Sequence, residues 1–340
     1  MTKRVTSFDV ARLAGVSQAT VSRALRDLPS ITPETRERVA RAAEQLGYVP
    51  HEAGRALSTR VTRRIAIVSE APMNPFYPEL LDRLRERLGE RGYRVVLVAD
   101  SEDDALTAAT LTDGSFDGVI ITTATRTSRL PGALQAHGLP SVLVNRVRDD
   151  PDDIACSFDN REGAARIARL LHELGHRRVG VLAGASHLST GLEREEGLRD
   201  ELARLGIDVP DRWTRRIDFD ARGGRAAALE ILEGGDRPTA LVCGNDYLAF
   251  GALNAARALG IAVPAQLTVI GFDDVAMASW DVLDLTTVLC DRDELAAEAV
   301  DLITRAIRGL RTGPQVRVPV ELRLRGTHAP PPPEAALGPS

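Results

Sequence analysis

Residues 6–25 read Thr6-Ser-Phe-Asp-Val-Ala-Arg-Leu-Ala-Gly-Val-Ser-Gln-Ala-Thr-Val-Ser-Arg-Ala-Leu25, two short apolar-periodic segments pinched around Ala14-Gly15-Val16-Ser17. Thr6 and Asp9 have the Thr-x-x-Asp spacing of a capping box, ahead of Val10, Ala11, Leu13 and Ala14 on one helical face. Gly15 tolerates the positive φ that stops a helix. Ser17 is placed to cap a second helix, with Val21, Ala24 and Leu25 inward and Gln18, Ala19, Ser22 and Arg23 outward. A third helix opens at Thr32-Pro33, with Glu34 and Glu37 near the positive end of its dipole, and stops at Gly47. The pattern predicts a helix-turn-helix inside a three-helix domain. A plain three-helix bundle is the bland alternative, but an exposed Gln and Arg on the second helix suit base edges in a major groove.

Composition divides the chain in the same sense. At 340 residues it exceeds the usual single-domain size, so two or three domains are expected. Residues 1–60 carry a net charge of +4 while the rest carries −9, within a total of −5. Phosphate attraction is therefore confined to the first segment, and the acidic bulk would repel DNA. Cys156, Cys243 and Cys290 are far apart and each sits in an apolar run, which points to buried thiols rather than disulfides or a metal cluster. The N-terminus lacks a signal-peptide core and no apolar run approaches a membrane span, so a cytoplasmic protein is expected, with no membrane partner.

After Tyr48, a short candidate helix near His51–Ser58 precedes the first strand. Such a helix is marginal alone, and Gly54 costs it roughly 1 kcal/mol relative to Ala. From Arg64 onward, strand-like runs alternate with amphipathic segments: Ile65-Ala-Ile-Val, Val95-Val-Leu-Val, Val119-Ile-Ile-Thr, Val142-Leu-Val-Asn, Val179-Gly-Val-Leu, Ala240-Leu-Val-Cys and Val269-Ile-Gly-Phe. Continuous β-branched runs between helices read as parallel strands buried on both faces, seven of them through residue 272, in two half-bodies with a cleft between. Ligands of such sheets sit beyond the carboxyl ends of the strands. The residues there are Asn74, Phe76 and Tyr77, then Asn145 and Arg146, Asn245 and Asp246, Asp273 and Asp274.

Catalytic motifs fail on inspection. His172-Glu-Leu-Gly-His176 matches a zinc-protease pattern, but Gly175 falls where the helix should stop and Arg177-Arg178 would repel a cation. No nucleophile elbow, phosphate loop or dinucleotide fingerprint is present. The expectation is a non-enzyme without cofactor or metal.

Eight ordered blocks then carry a resemblance: Asp9-Val-Ala-Arg-Leu-Ala-Gly-Val-Ser, Thr20-Val-Ser-Arg-Ala-Leu, Pro33-Glu-Thr-Arg-Glu-Arg-Val, Asn74-Pro-Phe-Tyr, Asp159-Asn-Arg-Glu-Gly-Ala, Leu174-Gly-His-Arg-Arg-Val, Pro238-Thr-Ala-Leu-Val-Cys-Gly-Asn-Asp and Val269-Ile-Gly-Phe-Asp-Asp. Over residues 4–328 the chain resembles the LacI/GalR family of bacterial transcriptional repressors. The resemblance implies an all-α helix-turn-helix headpiece (1–48), a hinge helix (49–61), and an α/β periplasmic-binding-protein-like core (62–328) of two doubly wound subdomains. The first subdomain would hold about 62–160 and 291–320, the second about 161–290 and 321–328, with a disordered Pro-rich tail at 329–340.

Carried across by position, the resemblance implies base reading by Gln18, Ala19 and Arg23, and phosphate contacts from Thr6, Ser17, Thr20 and Ser22. Leu57 would wedge into the minor groove beside Arg55. Gly54 and His51 depart from the usual Ala and Asn, so a weaker hinge is expected. The implied effector site is Phe76, Tyr77, Asn145, Thr190, Arg194, Phe219, Asn245 and Asp273. Carboxylate, amide, guanidinium and aromatic groups suit a sugar, glycoside or nucleoside, and Leu188 stands where purine-responsive members carry Arg. The implied partners are a palindromic operator, a small effector and a second copy of the chain. The competing classes are an exported solute-binding protein, which needs a signal peptide and no headpiece, and a zinc hydrolase, which needs a competent metal site.

Overall fold

The computed structural model describes residues 5–25, 29–48, 61–69, 74–100, 108–310 and 315–333. The hinge positions Arg55 and Leu57, with His51 and Gly54, lie outside the described residues. The chain divides into two units, Met1–Thr62 and Arg63–Ser340.

The first unit consists of α1 (Ser7–Ala14), α2 (Gln18–Ala24) and α3 (Pro33–Gln45). Local chemistry sets each boundary. The Asp9 carboxylate accepts from the Thr6 backbone N–H at 3.0 Å, Ser17 Oγ accepts from Thr20 N at 3.0 Å, and Thr32 Oγ1 accepts from Thr35 N. Gly15 and Gly47 adopt φ of 64° and 61°, where a side chain would be strained. The core is small: Val10, Ala11, Ala14, Val21, Ala24, Val39, Ala42 and Ala43. Leu13 and Leu25, expected inside, are instead exposed at 47% and 37%. Leu13 lies on the flank of the Val10–Ala11–Ala14 arc, and Leu25 follows the last helical residue, so no further turn covers it.

In the second unit, six parallel strands form one sheet: β1 (Arg64–Ser69), β2 (Arg94–Ala99), β3 (Gly118–Ile121), β4 (Ser141–Val144), β5 (Ala155–Phe158) and β11 (Val316–Val318), in the order β11-β5-β4-β3-β1-β2. Its helices are α4 (Phe76–Glu90), α5 (Ala108–Leu111), α6 (Leu130–Ala136) and α11 (Arg292–Ile307). A second parallel sheet has β6 (Val179–Gly184), β7 (Thr214–Ile217), β8 (Ala240–Cys243) and β9 (Thr268–Ile270) in the order β7-β6-β8-β9. With it go α7 (Asn160–Leu174), α8 (Ser189–Arg204), α9 (Ala221–Leu232) and α10 (Asp246–Ala258). β10 (Thr287–Leu289) pairs antiparallel with β12 (Glu321–Arg323).

Both sheets share the doubly wound order in which the first strand lies between the second and third. The chain passes between the halves after β5, before α11, and between β11 and β12. One hydrophobic cluster runs through both, including Ile65, Phe76, Phe158, Val181, Phe272, Val288 and Ile303. Two strands before residue 272 are additional to the seven expected. Ala155-Cys-Ser-Phe158 is wholly buried yet holds no β-branched residue, and Thr214-Arg-Arg-Ile217 is an edge strand with an exposed arginine. Neither shows the apolar run that betrays a central strand. The expected tail also begins later than residue 329. Ala329 O accepts from Thr268 Oγ1 at 3.0 Å, and Thr268 Oγ1 in turn accepts from Ala329 N, so this residue is tied to β9.

Candidate functional site

In the first unit, burial of Val21 and Ala24 fixes which side of α2 faces out. Gln18, Ala19 and Arg23 are exposed, and Thr20 and Ser22 are half-buried. Gln18 Nε2 lies 3.3 Å from Ser7 Oγ, bringing the starts of α2 and α1 together. The Thr6 hydroxyl donates to Asp9, and the Ser17 and Thr20 hydroxyls bond each other at 2.8 Å. The Ser17 hydroxyl therefore caps α2, and Thr6 belongs to the capping box of α1, beside any contact either makes with a ligand.

In the second unit, the order of each sheet reverses at its first strand, between β1 and β3 and between β6 and β8. A crevice at the carboxyl ends is the general ligand position of such sheets. On the first half, Tyr77 is half-buried and Asn145 follows β4 with φ of 69°. Asn145 Nδ2 points to Tyr77 Oη at 3.4 Å, its Oδ1 is buried without a hydrogen-bond partner, and the Arg146 guanidinium lies over the Tyr77 ring. Phe76 is set back in the core, edge-on to Tyr77 and Phe158, where it supports the surface and does not form it.

On the second half the polar groups converge more tightly. Arg194 donates through Nε to Asn160 Oδ1 at 2.8 Å and through Nη1 to Gly244 O at 2.7 Å; its Nη2 pairs with Asp273 Oδ1 at 2.9 Å. Its guanidinium lies 3.8 Å from the centroid of the Phe272 ring. Phe219 lies flush on Gly184 and Gly244: a Cβ at Gly184 would come within 2.1 Å of its ring, so any side chain there would displace the ring from this position. Asn245 caps α10, its Oδ1 accepting from Leu248 N, and Thr190 is buried in the first turn of α8.

Bonds join the two halves on both sides of these residues. Val147 N donates to Ser189 Oγ at 2.9 Å and Arg126 N to His187 O at 3.0 Å. On the other side, Arg292 pairs with Glu79 at 3.0 Å and donates to the carbonyls of Asp273 and Asp274. The structure thus joins Arg194 to Asp273 directly and sets Phe219 and Asn245 at Gly244, whose carbonyl Arg194 holds, while Tyr77 and Asn145 meet on the first half. Sequence reasoning missed Asn160, Glu79 and Arg292. Asn160 stood inside a recognisable block, whereas the other two look like ordinary helix charges.

Burial pushes the Asp273 carboxyl above its ordinary value, with Arg194 and Arg292 pulling the other way. Asp246 is pushed well up, first by burial and then by the Asp273 charge, against hydrogen bonds from Thr287 and Val275 N. The three cysteines are free, buried thiols, and burial raises each of them out of the reactive range. The His-Glu-x-x-His segment does not form one helical face: α7 ends at Leu174 and is capped by Gly175, with φ of 93°. His176 lies beyond it, with Nδ1 bonded to Thr239 and Nε2 to Ala329 O, so neither ring nitrogen is available to a metal.

Comparison with known proteins gives a consistent result. Residues 8–51 match the model of bacterial regulatory proteins of the lacI family, and residues 168–328 match the periplasmic binding protein-like domain. The HTH-type transcriptional repressor CytR of Escherichia coli K12 is 31% identical over 331 residues, covering 95% of this chain and 96% of that protein. The HTH-type transcriptional regulator CelR of Thermobifida fusca is 33% identical, covering 95% and 97%. Among solved structures, the lac repressor dimer bound to operator and the anti-inducer ONPF superposes with a TM-score of 0.88 at 26% identity, covering 96% of this chain and all of that one. A CelR–cellobiose complex gives 0.73 at 30% identity, covering 95% and 100%. No described helix is long and apolar enough to cross a membrane.

Proposed function

Because this chain belongs to the lacI family of bacterial regulatory proteins, we propose that it is a sequence-specific transcriptional repressor, acting in the cytoplasm as a homodimer on a palindromic operator and controlled by a sugar, glycoside or nucleoside. The observation that carries this reading is the exposed Gln18–Ala19–Arg23 face of a capped helix, in a chain whose other unit sets Arg194 and Asp273 at the carboxyl ends of a doubly wound sheet. Arg23 matches guanine O6 and N7, Gln18 matches adenine, and Ala19 offers a methyl contact. Thr6, Ser17, Thr20 and Ser22 hold phosphates and set register, and Arg55 and Leu57 occupy the adjoining minor groove.

The effector lies against Tyr77, Asn145, Thr190, Arg194, Phe219, Asn245 and Asp273, with Phe76 as the support beneath Tyr77. Vicinal hydroxyls satisfy Asn145 Oδ1, Asp273 and Arg194, and the Phe219 ring accepts an apolar ring face. The relatives point the same way: one solved neighbour is a complex with cellobiose. Trp280, Val282 and Leu324 are large apolar side chains left exposed in the second unit, and a second copy would cover such groups. Operator and effector then change each other's affinity by the same factor.

A gel shift of genomic fragments by the full-length protein, repeated with a panel of sugars and nucleosides, tests the proposal. Expected are a few retained fragments and one ligand class that changes their retention. Absence of sequence-specific binding overturns it.

A further inference from the structure

Arg194 has a second line of support that reaches out of its own half. Asn160, at the first position of α7, accepts from Arg194 Nε–H at Oδ1 and donates through Nδ2 to Glu193 Oε2 at 2.9 Å. Glu193 is in turn gripped by both terminal nitrogens of Arg317, each at 2.9 Å, and Arg317 also donates to Ser157 Oγ. Glu193 lies on α8 of the second half, whereas Arg317 and Ser157 lie on β11 and β5 of the first sheet.

The chemistry of the chain is directional. An amide has one acceptor end and one donor end, and only its acceptor end can serve Arg194 Nε–H. A carboxylate accepts and cannot donate, so Glu193 selects the Nδ2 end of Asn160 and turns Oδ1 toward Arg194. Without Glu193, only the N–H of the arginine itself opposes a flip of the amide, and the amide is no longer fixed from its far end. The bidentate grip of Arg317 holds the carboxylate in the one plane that does this.

We propose that Glu193, acting through Asn160 and held by Arg317, is a positioning residue for Arg194, and that it makes the orientation of the arginine depend on the two halves staying in register at this edge. The proposal deepens the ligand-site reading above and rests on it for its purpose. Its geometry can be read without any ligand.

The test is solvent exchange of the Arg194 Nε–H in full-length protein labelled with ¹⁵N-arginine, the resonance being located by its loss in Arg194→Lys. Exchange is expected to be slow in the parent, at least about tenfold faster in Glu193→Ala, about threefold faster in Arg317→Met, and intermediate in Glu193→Gln, whose Oε1 can still accept from Asn160. Unchanged exchange in a folded Glu193→Ala overturns the proposal. If that variant does not fold, unchanged exchange in Arg317→Met does so. Failure of the ligand-site reading shows separately, as the absence of any thermal shift of the parent protein with sugars or nucleosides.

Discussion

Arg194 and Asp273 form an ion pair at 2.9 Å with only 6% and 5% of their side chains exposed, although they lie 79 positions apart in the chain. A pair taken this far out of water is costly to break from one side, because the remaining charge has no solvent to turn to. Asp273→Ala is therefore expected to lower unfolding stability by about 3–5 kcal/mol. Removing Asp149 from its pair with Arg126, where both partners are about a third or more exposed, should cost about 0–1 kcal/mol. Urea unfolding of the two variants checks the contrast.

Gly197 sits where α8 packs on the first turn of α7: a Cβ there would lie 2.5 Å from Arg161 O and 2.7 Å from its Cα, both backbone atoms. Gly197→Ala should destabilise by about 1–3 kcal/mol through overpacking. Gly89, exposed near the end of α4 with open space around it, is the control. Gly89→Ala should stabilise by about 0.4–1 kcal/mol, because alanine restricts the unfolded chain more. Equal effects at both positions would contradict the close approach.

His176 is buried and its pKa is held below the ordinary 6.5, chiefly by burial, with the Ala329 carbonyl opposing. Above pH 6.5 the ring is neutral whether folded or unfolded, and its contribution is fully present. As pH falls below that value the unfolded chain takes up a proton that the fold refuses, so stability declines until the folded pKa is passed. The stability advantage of the parent over His176→Gln should shrink between about pH 7 and 5. A pH-independent difference would count against this assignment.

The first unit offers a separation of stability from recognition. Arg23→Ala removes an exposed group, so it should cost roughly 1–3 kcal/mol in operator binding and leave ligand binding and unfolding unchanged. Thr32→Ala removes the cap of α3, to which no DNA contact is assigned, and should cost about 1 kcal/mol of headpiece stability. Equal loss of operator and ligand binding in Arg23→Ala would indicate misfolding instead.

What was legible in the sequence is what depends on near neighbours. The caps at Thr6, Ser17 and Thr32 are contacts between residues three apart, and a helix stop at Gly15 needs only the φ that glycine permits. Most central strands declared themselves because burial on both faces favours an apolar run, although the buried central strand Ala155–Phe158, with a serine and no β-branched residue, did not. An edge strand such as Thr214–Ile217 is under no such demand, which is why it passed unseen. Arg194 and Asp273 were found by matching positions, but their isolation from water was not visible in any motif.

The chain alone determined that a capped, basic helical unit is followed by alternating strands and helices with polar residues at the strand ends, since propensity, periodicity and charge are local properties. Only the tertiary structure decided which of those polar residues share a wall. The Arg317–Glu193 bond spans 124 positions and the His176–Ala329 bond 153. Such partners are chosen by three chain crossings and by the cost of leaving buried charges and amides unpaired, and neither is written in any single segment.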